Sequence, residues 1–263
     1  IFTDSGDQPN VVPSKASIWF YFRDVTYEGI MDMYETANKI AEGASLMTNT
    51  SYKSRILGTA WPRHFNRTIA EQMYKNIEDV GLPTWSENDQ QLAIAVQKEV
   101  NSDNANGLAN KLRPIGAPLP YKISGGSDDI GDISWKVPTV TLRYPSNIPG
   151  LQGHHWSNSI AMATPIAHKG ANAGAKVLAM TVIDFLLKPE KLDEAKDYFE
   201  NIQKKETTYR PMISMDDPPA IYLNKDIMSQ FKDQIKEFYF DETKYDNYLE
   251  QLGIEYPVIK KEN

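Results

Sequence analysis

The first apolar stretch of the chain alternates. Residues 16–23 read Ala-Ser-Ile-Trp-Phe-Tyr-Phe-Arg between Pro13 and Asp24, and β-branched and aromatic runs bounded by turn residues favour a strand. A two-residue period puts Trp19, Tyr21 and Arg23 on one face and Ile18, Phe20 and Phe22 on the other. The period then changes. Ile30, Met33, Tyr34, Ala37, Ile40, Ala41 and Ala44 recur at helical spacing, which predicts a helix with Thr26 as its N-cap. Residues 52–60 form a weaker strand candidate.

Further on, Thr68-Ile-Ala-Glu71 has the form of a capping box, so it predicts the start of a helix that ends at Gly81, with Ile69, Met73, Ile77 and Val80 as its apolar stripe. A second helix is expected over 87–100, with Leu92, Ala93, Val96 and Val100 inward. Residues 101–120 are rich in Asn, Gly and Pro and read as a loop. Gly125 to Asp129 reads as a tight turn, and Val137 to Tyr144 as a strand. Thr164-Pro165 is an N-cap and N1 pair opening a helix over about 165–187, whose early Gly and Ala residues let it lie close on a neighbour. Residues 190–250 read as helices broken at Pro211 and Pro218-Pro219. Strands mixed with helices give an α/β or α+β class.

Composition narrows the partners. The 263 residues are 41% hydrophobic with a formal net charge of −7, ordinary values for a globular chain. No basic stripe is present, which argues against nucleic acid. Cysteine is absent, which removes disulfides, thiolate nucleophiles and cysteine-type zinc sites. No apolar run approaches the roughly 20 residues of a membrane span, so no membrane partner is expected. The chain opens on Ile1 with no leader pattern and reads as a processed or truncated product.

Four histidines are present: His64, His154, His155 and His168. The densest group is Gly153-His154-His155-Trp156 in a Gly/Pro-flanked loop, with Ser127-Asp128-Asp129 and Asp132 upstream. Imidazoles and carboxylates in loops suit a divalent metal. A histidine pair in a loop equally fits a solvated or hydrogen-bonded pair, and the Asp cluster fits a helix N-cap. No nucleophile elbow, phosphate loop, dinucleotide fingerprint or His-Glu-x-x-His motif occurs.

Three segments in order resemble the M20 metallopeptidases and amidohydrolases, nearest the branch that uses aminobenzoyl-glutamate. They are Asn10-Val-Val-Pro13 with a strand closing on Arg23; Gly126-Ser127-Asp128-Asp129-Ile-Gly-Asp132 leading into Val-Pro-Thr-Val; and Gly153-His154-His155-Trp156 followed by Ile166-Ala-His168-Lys-Gly170. The likeness covers about residues 1–190. It implies an α/β fold with an α+β lid: part of a hydrolase-like catalytic domain, plus part of a lid (dimerisation) domain with an antiparallel sheet and helices on one face. The implied division is lid over 1–64, catalytic domain over 65–204 and a C-terminal extension over 205–263.

The resemblance also implies chemistry. Two divalent ions, zinc or manganese, would serve the full-length parent, bound weakly or not at all by this chain alone. His154 matches the family's last metal-ligating histidine. Asp129, His155 and His168 are expected to support it from behind. Asn10 and Arg23, 23 − 10 = 13 residues apart, match lid residues that hold a substrate carboxylate, a task suited to a guanidinium fork and an amide donor. No catalytic residue is expected in this chain, because the general-base Glu belongs to the family's first half. The implied reaction is cleavage of a small-molecule amide next to a free carboxylate: an N-acyl or N-aryl amino acid of the aminobenzoyl-glutamate kind, or a dipeptide. The chain alone is expected to be inactive, and a homodimer or heterodimer to form through the lid. The alternative is a non-catalytic assembly or substrate-binding subunit of an M20-type heteromer. His64 reads as structural.

Overall fold

The computed structural model describes residues 1–103, 105–116, 126–205 and 207–256. Gly125 of the expected turn and part of the 101–120 loop lie outside the described residues. The chain separates into two compact units: Ile1–Arg63 with the described part of Leu119–Ile133 and Arg210–Pro219, and the remainder.

In the first unit, β1 (Phe2–Asp4) pairs antiparallel with β2 (Ser17–Ile18), Phe2 opposite Ile18. This ladder is shorter than the expected strand over 16–23: after the bond from Trp19 N to Ile1 O, at 2.8 Å, residues 20–23 have no strand beside them among the described residues. Alternation persists all the same. Trp19 and Tyr21 rings lie 5.8 Å apart on one side, and Phe20 and Phe22 stack at 6.0 Å on the other. Such i, i+2 pairs share a face because extended backbone alternates its side chains. Residues 52–60 also remain outside any ladder.

Helix α1 (Tyr27–Thr48) begins where expected. Thr26 Oγ1 accepts from Gly29 N at 3.1 Å, and the helix ends at Asn49 in the left-handed region, φ 54°. Its apolar stripe is half-buried at best, and Ile40 stays 67% exposed. Trp61 is the buried anchor of this unit. It stacks on Tyr27 at 5.0 Å and its Nε1 donates to Arg210 O at 2.7 Å.

The second unit is helical: α2 (Arg67–Val80), α3 (Glu87–Glu99), then, after α4 (Ile130–Ser134), whose last residue alone belongs here, α5 (Ser157–Ile160), α6 (Pro165–Leu187), α7 (Pro189–Asn201), α8 (Lys225–Lys236) and α9 (Tyr248–Gln251). Its core joins Ala93 and Val96 of α3 to Leu108, Ile148, Ala161 and Ile166. Helix α2 packs on α6 and α7. Its cap is Asn66, two residues before the Thr68 expected from the capping-box pattern. Asn66 Oδ1 accepts from Ile69 N at 3.1 Å, and its Nδ2 donates to Ala195 O at 2.8 Å. Glu71 turns instead to Arg67 at 2.5 Å. A wholly buried residue that caps one helix and bonds the backbone of another outweighs a local pattern. The box itself forms at α3, between Ser86 and Asp89.

Helix α6 spans Pro165–Leu187, as the sequence predicts, but Thr164 does not cap it. Its hydroxyl donates to Ala161 O at 2.7 Å. Gly170 is required by packing, since a Cβ there would fall on Pro145 O. The stretch 137–144, expected as a strand, has no ladder among the described residues. Thr139 O accepts from Asn66 N at 2.8 Å, and Tyr144 OH donates to Gly81 O. A strand is defined by its neighbour, and here the neighbours are single helix-end groups.

By length and composition α6 is apolar enough to cross a membrane, which departs from the expectation that no stretch reaches that length. Alanines and glycines lengthen the apolar run without bulky side chains. Along α2 this helix carries a polar seam: Gln72 and Asn76 donate to Asp184 Oδ2 at 2.7 and 2.9 Å, and Asn76 also donates to Thr181 Oγ1 at 3.0 Å. The Asn76 amide, then the Lys188 ammonium, hold the Asp184 carboxyl below its usual range.

Candidate functional site

Arg23 ends the extended aromatic stretch of the first unit. Its guanidinium lies over the Tyr21 ring, 5.2 Å from the centroid, and its Nη1 donates to Ser127 Oγ at 3.2 Å. The neighbouring Asp24 does not neutralise it. Asp24 Oδ1 accepts from the backbone N and the hydroxyl of Thr26, both at 3.0 Å, bonds that hold its pKa below the usual value. Among the described residues, Arg23 has no ion-pair partner. A guanidinium carries five N–H donors in a fixed fork, so one bond to a neutral hydroxyl and one ring face leave it able to take a carboxylate.

The Ser127 turn is itself tied down, by residues that sequence reading passed over. Arg63 Nη2 donates to Gly126 O at 3.2 Å, and its Nη1 stands 3.6 Å from Asp128 Oδ2. Five residues beyond Ser127, Asp132 Oδ2 accepts from Trp61 N at 3.1 Å. Gly131 passes so close to Trp61 that a Cβ would overlap its carbonyl. The signal was present as Trp61-Pro62-Arg63, an aromatic anchor and a charge at one end of a weak strand. Its partner lies 63 positions away, beyond the reach of periodicity.

Asp129 is exposed and caps α4 through its backbone carbonyl, which accepts from Ile133 N at 3.1 Å. Asn10 is exposed in a turn. Neither is shown touching Arg23 among the described residues.

The other site residues lie in the second unit. His154 is exposed and sits at φ 60°, in the left-handed region that non-glycine residues enter at a cost. His155 is anchored: its Nδ1 lies 2.8 Å from Ser157 Oγ, and Ser157 is fully buried. The pair therefore divides, one ring fixed and one ring presented. His168 is exposed on the first turn of α6, beside a cleft of about 560 Å³ that Glu250, Glu255 and Tyr256 also line. At His64, read from the sequence as structural, the backbone N donates to Ser134 Oγ at 3.2 Å and the ring meets Trp135 edge-on at 5.5 Å.

Among the described residues, no three His, Asp or Glu side chains are grouped to hold a metal ion. His154 alone would offer such an ion one imidazole nitrogen, so a metal centre would need further ligands.

Fold and site together define a class no narrower than a two-unit protein, about half helical, that presents exposed histidines and, at Arg23, an arginine with no ion-pair partner among the described residues. No protein-family model matches the chain, and no solved structure does. The chain is similar to one of the subunits of the p-aminobenzoyl-glutamate hydrolase of Escherichia coli (strain K12): 26% identical over 234 residues, which is 81% of this chain and 49% of the relative. It thus spans about half the length of the curated relative it matches.

Proposed function

We propose that the chain is part of an M20-type amidohydrolase that cleaves an aminobenzoyl-glutamate-like amide, with Arg23 and Asn10 taking the free carboxylate and His154 giving one ligand to a metal centre. The observation that carries this reading is the likeness, over 81% of the chain, to a polypeptide of a p-aminobenzoyl-glutamate hydrolase. The Arg23 environment supports it, because a guanidinium held by a hydroxyl and a ring, rather than by an acid, keeps its charge for a substrate. The left-handed His154 supports it too, since strain at an exposed imidazole is retained where the ring has a task. Under this reading Ile1–Arg63 belongs to the lid, and much of the second unit to the catalytic α/β domain.

When bound, a pair of divalent ions would polarise the scissile carbonyl and acidify a water. This chain's own part is to bind and orient: Arg23 would fix the carboxylate end and so set the amide's position. The test uses the whole protein with its partner subunit and p-aminobenzoyl-glutamate as substrate. Arg23→Ala should raise KM by about tenfold or more, and His154→Ala should lower bound zinc or manganese. Unchanged KM and unchanged metal content would sink the reading.

A second reading, a substrate-binding or assembly subunit, is favoured by the relative's being one subunit of a hydrolase. It predicts that the whole protein binds p-aminobenzoyl-glutamate alone but hydrolyses it only when paired.

A further inference from the structure

We propose that Ser127 is a positioning residue for carboxylate recognition: seated on a turn that Arg63 pins, it aims the Arg23 guanidinium. The inference rests on the reading of Arg23 above.

An exposed arginine at the end of an extended stretch has several rotatable bonds, and fixing it costs side-chain entropy. A site that needs a bidentate carboxylate contact benefits when that cost is met before the ligand arrives. Two contacts of Arg23 do this. The Tyr21 ring, at 5.2 Å, sets the plane on one side. Ser127 Oγ, at 3.2 Å, fixes one nitrogen of the fork. A serine hydroxyl suits the role because it is neutral: an aspartate there would orient Arg23 but also neutralise it.

Ser127 is useful only if its own backbone is still. The turn is held at both ends by a single short segment, residues 61–63. Arg63 reaches Gly126 O at 3.2 Å and Asp128 Oδ2 at 3.6 Å, so its fork straddles Ser127. Trp61 N reaches Asp132 Oδ2 at 3.1 Å, and Trp61 is 4% exposed. Asp128 occupies the Arg63 charge locally. Of the two arginines at this turn, one is therefore spent on structure and the other is left for an anion. Lysine at 63 would keep the charge but not the two-pronged span.

The experiment uses the whole protein with its partner subunit and two probes, p-aminobenzoyl-glutamate and its α-carboxamide, assayed side by side. Ser127→Ala should raise KM for the carboxylate probe about three- to tenfold, the scale of one lost orienting bond, with kcat within about twofold and little change toward the carboxamide. Arg63→Ala should show the same discrimination, and Arg63→Lys should recover only part of it. If Arg23→Ala raises KM while Ser127→Ala leaves it unchanged, or shifts both probes equally, the positioning role is wrong and the carboxylate reading stands. If Arg23→Ala itself leaves KM unchanged, both fall.

Discussion

Lys169 Nζ stands 2.6 Å from Oδ2 of Asp89, a residue with no exposed surface. Asp89 is the third residue of α3, and its Oδ2 also accepts from Ser86 N at 2.7 Å. Its other oxygen accepts from Tyr256 OH at 2.9 Å. Three separate parts of the second unit, the start of α3, the N-terminal part of α6 and the stretch after α9, thus meet on one carboxylate. A buried charge is tolerated when every lone pair is answered.

Removing either partner should show this. Tyr256→Phe takes one donor from a buried oxygen and should destabilise the chain by about 1–3 kcal/mol in urea unfolding. Lys169→Met leaves the charge without its cation and should cost more, about 2–4 kcal/mol, less than a fully enclosed pair because the lysine is partly exposed. Equal stability of all three proteins would show that the network contributes nothing.

The same carboxylate should contribute to acid stability. Burial pushes its pKa up, but the bonds from Lys169, Ser86 and Tyr256 outweigh burial and hold it below the usual 3.8. A depressed folded value means that the stabilisation is full above the unfolded value and is lost as pH falls through the folded one. Unfolding free energy should therefore fall on acidification below about pH 4. Asp89→Asn, less stable at pH 7, should show a shallower fall over that window.

Two glycines should respond oppositely to alanine. Gly170 lets α6 touch Pro145 and Ser146, so Gly170→Ala should cost at least about 1–3 kcal/mol through forced displacement. Gly43 lies inside α1 with open space where a Cβ would stand. Gly43→Ala should stabilise by about 0.5–1 kcal/mol. Thermal midpoints of the two variants check both signs.

His154 should separate stability from chemistry. Its φ of 60° is easy for glycine and costly for other residues. His154→Gly should raise unfolding free energy by up to about 1 kcal/mol, while lowering metal content in the whole protein. A loss of stability would mean that the ring is held by contacts rather than held in strain.

Much of the helical frame was legible from local signals. Thr26 caps α1, Gly81 ends α2 and Pro165 opens α6, because caps and helix-compatible φ values act within a turn of where they stand. The alternation of Trp19, Tyr21 and Arg23 was legible for the same reason and survives without a full ladder. What escaped depends on partners far along the chain. Asn66 displaces Thr68 as a cap because it also bonds Ala195, 129 positions on. The stretch 137–144 has strand composition but meets helix ends. At the candidate site, Arg23 stood out by its place in a motif. Arg63, which ties down the turn beside it, carried no motif, and nothing local singles out Asp89, whose partners Lys169 and Tyr256 stand 80 and 167 positions away.

The seam between α2 and α6 has a consequence for alignment. Apolar ridges can slide by one turn, about 5.4 Å, and still bury comparable area. Two amides and an acid cannot. Gln72 and Asn76 stand one turn apart, so a slip of that size would leave Asp184 with one amide donor where it now has two. Those few atoms act as a key that admits one register between the helices, so substitutions there should produce helix pairs that still associate but no longer agree on where.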